Sequence, residues 1–104
     1  MTRLYLATDD GEKVWVVVLI DNDVWTYVAN TGMFHLNPAM RDDFFIETDF
    51  TYTEIGAREA TRHIEDGVGL LDEERRAEAL RAWRADTNPL PPETVFASAV
   101  ADQS

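Results

Sequence analysis

Val14-Trp15-Val16-Val17-Val18-Leu19-Ile20 is the stretch on which the fold turns. Its residues are β-branched, aliphatic or aromatic, the run is too short for a typical helix, and turn residues bound it on both sides. It therefore predicts a strand. Neither of its faces carries a polar residue, so the strand belongs inside a sheet with a cover on each side.

The neighbouring segments fit around it. Residues 4–8 predict a preceding strand, joined through Asp9-Asp10-Gly11-Glu12, where Gly11 can take the positive φ of a tight hairpin. Residues 24–29 predict a third strand with Trp25, Tyr27 and Ala29 on one face and Val24, Thr26 and Val28 on the other. A short fourth strand, 33–36, follows Asn30-Thr31-Gly32. Asn37-Pro38 then reads as a helix start, because asparagine caps a free N–H and proline at the first helical position sacrifices no bond. That short helix, 39–45, brings Met40 and Phe44 to one side. From 46 to 53 the chain alternates, Ile46, Thr48, Phe50 and Tyr52 against Glu47, Asp49, Thr51 and Thr53, which predicts a fifth, half-buried strand.

Two longer helices come next. Ala57, Ala60, Thr61, Ile64 and Val68 form one apolar stripe, with Gly56 as N-cap and Gly67 or Gly69 as the stop. Asp72 opens the second, with Glu73 and Glu74 in its first turn and Arg81 and Arg84 near its end, the signs that suit a helix dipole. Only Ala77, Leu80 and Trp83 make an apolar strip on it, so it docks through one narrow seam or meets a second chain. Pro89, Pro91 and Pro92 favour an extended course, and residues 91–104 read as a Pro-rich, frayed tail. The expected architecture is one α+β domain over residues 1–90, an N-terminal antiparallel β-meander packed by one short and two longer α-helices.

Composition narrows the function classes. The chain has 104 residues, no cysteine and a formal charge of −11. The lack of cysteine excludes disulfides, thiolate zinc sites and cysteine catalysis. The acidity opposes binding to nucleic acid or anionic lipid, while leaving mimicry of a nucleic acid open. No apolar run approaches the roughly 20 residues of a spanning helix, and the N-terminus lacks a signal-peptide core, so a cytoplasmic protein is expected. Three basic residues face ten acidic ones in residues 1–57, whereas residues 58–86 hold six arginines against eight acids. The excess charge belongs to the β-rich part.

No catalytic motif, cofactor motif or metal-ligand spacing is present. Ser98 and Ser104 lie in the tail, and the five glycines are dispersed rather than gathered into a phosphate loop. Asp9–Glu12 and Asp21–Asp23 are oxygen-rich but lack calcium-loop spacing. His35, oriented by Asp42 or Asp43, is the one acid–base pairing open to a minor enzyme or small-ligand site. His63 has Glu59 one helical turn earlier, which suits a surface hydrogen bond.

The leading expectation is a non-enzymatic module, of the inhibitor, immunity or antitoxin kind, that binds a basic protein partner. It would bind through the acidic sheet loops, an aromatic sheet face, or both, with Trp15, Trp25, Tyr27, Asp42, Asp43, Leu80 and Trp83 as the candidate contact residues. A homodimer through that helix or a sheet edge is the other arrangement considered.

Overall fold

The computed structural model describes residues 1–103. Its five-stranded antiparallel sheet runs in the order β4-β3-β2-β1-β5, with β1 Thr2–Asp9, β2 Glu12–Ile20, β3 Asp23–Val28, β4 Met33–Leu36 and β5 Thr51–Ile55. The apolar run lies in β2, paired on both edges, as a strand without a polar face must be. Asp10 and Gly11 both have positive φ, 50° and 82°, which a two-residue hairpin turn of this hand requires.

Four α-helices and one π-helical turn cover the sheet: α1 Pro38–Asp42, a π-turn at Asp43–Glu47, α2 Ala57–Glu65, α3 Ala77–Arg84 and α4 Pro92–Gln103. Asn37 caps α1 by accepting from the Met40 N–H at 3.0 Å, with Pro38 in the first turn. On one face, Leu4, Leu6, Val16, Val18, Tyr27, Phe34 and Ile55 pack with Ala60 of α2 and Val95 and Ala99 of α4. On the other, Ala7, Trp15, Val17, Val24 and Val28 meet Met40 of α1 and Leu80 of α3. Both faces of the apolar strand are thus covered within the chain.

Three expectations change. Residues 92–103 are a helix rather than a frayed tail: Pro92 occupies the first turn, where its missing N–H costs nothing, and Val95 and Ala99 are buried. Pro89 and Pro91 keep the extended role expected of them and flank Leu90, which bridges to Phe34. The alternation over 46–53 does not make one strand, because residues 43–47 wind into the π-turn and Ile46 is 77% exposed. Only Phe50 and Tyr52 of that set reach the core. Finally, the second long helix begins later than Asp72. The Asp72 carboxylate does cap the Glu74 and Arg75 N–H groups at 2.9 Å, but Arg76, at φ −117° and ψ 28°, breaks the winding before α3.

Candidate functional site

The site grows from Asp43. Asp43 keeps helical dihedrals at the end of α1, φ −63° and ψ −44°, and the chain widens there into the π-turn, which stops at Thr48, a left-handed residue at φ 53° whose N–H donates to the Asp43 carbonyl at 2.7 Å. Widened turns of this kind occur often at functional sites. The Asp43 side chain holds the returning chain in place. Its Oδ1 accepts the Asp49 N–H at 3.0 Å, and its Oδ2 accepts the Phe50 N–H at 3.3 Å and the Tyr52 hydroxyl at 2.7 Å. Burial by itself would raise the Asp43 pKa, but the bonds from Tyr52, Asp49 and Phe50 outweigh it and hold the carboxyl below its ordinary value. Tyr52 responds in the opposite sense: burial first, then its bond to the Asp43 anion, push its hydroxyl far above the usual phenol range.

Between this turn and α3 lies a cleft of about 400 Å³. Trp15, Met40, Phe50 and Trp83 give it an apolar and aromatic lining, and Asp43, Glu47 and Asp49 an acidic one. Trp15 and Trp83 meet edge to face with ring centroids 6.1 Å apart. Carboxylate oxygens of the three acids lie within 4.8 Å of one another. At that spacing each like-charged pair costs about 1 kcal/mol in water-like surroundings and about 3 kcal/mol at an effective dielectric of 20. Asp43 is compensated by its three donors. Glu47 and Asp49 are exposed, and Arg76 on the opposite wall makes no ion pair with any of the three among the described residues. A cation entering the cleft would relieve the repulsion. Three carboxylates can also bridge a hard divalent ion. Here both Asp43 oxygens already serve protein donors and the lining is partly aromatic, which suits an ammonium or guanidinium better than a hydrated metal.

Of the expected contact residues, the structure brings Trp15, Asp43 and Trp83 together in this cleft, with Leu80 fully buried beneath in the same apolar cluster. Trp25 and Tyr27 are elsewhere. The register pairs Val17 with Thr26 and Val18 with Trp25, so Trp15 and Trp25 point to opposite faces of the sheet. Tyr27 is buried against Phe34 at 5.4 Å, and no shared aromatic sheet face is left open to solvent. Asp42 is exposed at the end of α1 and does not line the cleft. Glu47, Asp49, Met40, Phe50 and Arg76 were not foreseen. In a strand reading Glu47 and Asp49 are merely its solvent face, and only the π-turn folds them back over Trp15.

His35 is not a base directed by Asp42 or Asp43. Its ring is 1% exposed, with Nδ1 2.9 Å from Asp86 Oδ2 and Nε2 2.7 Å from Thr31 Oγ1. Both nitrogens are occupied, so the ring offers no free atom for proton transfer. It also stacks on Trp83, centroids 6.1 Å apart, and so fixes one wall of the cleft. His63 does pair with Glu59, at 3.2 Å, but from a buried ring whose Nδ1 has no partner among the described residues.

Compared with known proteins, the chain matches no family model, no curated protein and no solved structure. Among the described residues no helix is long and apolar enough to cross a membrane.

Proposed function

We propose that the protein is a non-catalytic interaction module that seats a lysine or arginine side chain of a protein partner in the cleft between the π-turn and α3. The observation that carries this reading is that Trp15 and Trp83 line one cleft with the exposed carboxylates of Glu47 and Asp49, which the turn held by Asp43 places there. Indole faces attract a cation by about 0.5–2 kcal/mol depending on its desolvation, and a carboxylate supplies a directed, charge-assisted bond. The net charge of −11 adds long-range attraction that speeds encounter with a basic protein and repels nucleic acid.

The test is affinity capture from the native host at low and high salt, using three forms of the protein. Wild type is expected to retain a basic partner at low salt. The pair Glu47→Gln with Asp49→Asn should lose it, and the charge-matched pair Asp10→Asn with Glu12→Gln should keep it. Equal loss in both variants would reduce the interaction to net charge and remove the cleft from the account.

A further inference from the structure

The two edges of the sheet are finished differently. At β4, the Phe34 N–H donates to the Leu90 carbonyl and the Leu90 N–H to the Phe34 carbonyl, both at 2.9 Å. Pro89 and Pro91 on either side of Leu90 have no N–H to offer, so this bridge ends the sheet. At β5 no such bridge is found among the described residues. Thr51–Ile55 pairs with β1 on one side, and on the other its backbone groups have no protein partner among the described residues. The strand contains no proline or lysine to discourage pairing, and its Thr-Tyr-Thr-Glu-Ile sequence favours extended backbone. Phe45 and Ile46, 49% and 77% exposed, lie in the π-turn that leads into it.

We propose that this edge receives an extended, lysine- or arginine-rich segment of the partner by strand addition. The inference rests on the reading of the cleft given above and specifies how the partner's backbone is held. Charge selects the occupant. Glu54 lies in the strand itself, 3.8 Å from Arg3, and Glu47 and Asp49 come just before it in the chain, with no ion pair to either among the described residues. A second copy would set these carboxylates and a charge of −11 against their own images, whereas a basic strand meets them with opposite charge. Tyr52 and Glu54 share the sheet face of Ala7 and Tyr5, the face that carries the cleft. Every second side chain of an added strand therefore points to the acidic side, and main-chain bonds supply affinity independent of sequence.

The test uses an isotope-labelled protein and a capped seven-residue peptide alternating valine and lysine. Two further peptides carry N-methyl groups on the odd or on the even residues, and a fourth has glutamate for lysine. Slowed hydrogen exchange at the amides of residues 51–55 is expected with the parent peptide. One N-methylated register should bind about tenfold more weakly and the other nearly as well, because only alternate amides of an added strand face the sheet. The glutamate peptide should not bind. If both N-methylated peptides match the parent, or exchange slows nowhere in 51–55, strand addition is wrong. Movement of the Trp15 and Trp83 indoles with a capped single arginine would then leave the cleft reading standing. A doubled mass of the free protein with residues 51–55 already protected would hand the edge to a second copy and overturn the proposal.

Discussion

Replacing Asp43 by asparagine is the most informative single change, since it keeps the shape and removes the charge. The carboxylate accepts three hydrogen bonds, from the Asp49 and Phe50 N–H groups and the Tyr52 hydroxyl, at 3.0, 3.3 and 2.7 Å. An amide has one oxygen, and its NH2 must face at least one of those donors. Bonds to a charged acceptor contribute about 1.5–3 kcal/mol each, and a buried donor left unpaired costs about 1–3 kcal/mol. The expected loss for Asp43→Asn is about 3 kcal/mol, a large share of the 5–15 kcal/mol typical of a domain. For a chain of this length that is a fall in Tm of roughly 12–24 °C. The pH dependence follows from the lowered Asp43 pKa. Its stabilisation is fully present above the unfolded value of about 3.9 and is lost as pH falls through the folded value, so the variant should show a flatter acid limb. Urea unfolding of wild type, Asp43→Asn, Tyr52→Phe and the double variant, at pH 7 and across the acid range, measures both effects. The cycle should give a coupling energy of about 1–2 kcal/mol between the two residues. A loss under 0.5 kcal/mol, an unchanged acid limb, or strict additivity with Tyr52→Phe would refute the reasoning.

Asp86→Ala leaves Nδ1 of the buried His35 without its partner at 2.9 Å; a cost of about 1–3 kcal/mol by chemical denaturation is expected, together with a shifted Trp83 indole resonance. Gly69→Ala should destabilise clearly in a thermal melt, because φ is 94° and a Cβ there would sit 2.5 Å from the Tyr27 carbonyl oxygen. Val95→Asp on α4 should abolish cooperative folding, since it places an unpaired charge in the core, while Ile46→Ser in the exposed π-turn should stay within about 0.5 kcal/mol of wild type.

What the sequence made legible follows from how local each signal is. The central strand, the faces of β3, the Asn37-Pro38 helix start and the α2 boundary at Gly56 each depend on residues a few positions apart, and each is found in the structure. The π-turn is not local: it depends on Asp43 reaching donors six to nine residues ahead, which a period-two pattern cannot show. The C-terminal helix was hidden by prolines that do act as helix breakers at 89 and 91, yet at 92 sit where proline is harmless. The cleft was half legible. Trp15, Asp43 and Trp83 could be chosen by type, but their meeting depends on α3 setting Trp83 against Trp15, ring centroids 6.1 Å apart, beside the π-turn. The register that puts Trp25 on the far face is equally a tertiary fact, and it becomes an internal control.

That control makes the decisive measurement simple. Titration of the labelled protein with a capped arginine peptide, followed through the three tryptophan indole resonances, tests the cleft directly. The account predicts saturable movement of Trp15 and Trp83 with Trp25 unmoved, and loss of that movement in the Glu47→Gln, Asp49→Asn variant. Equal movement of all three indoles, or none at saturating peptide, would contradict it.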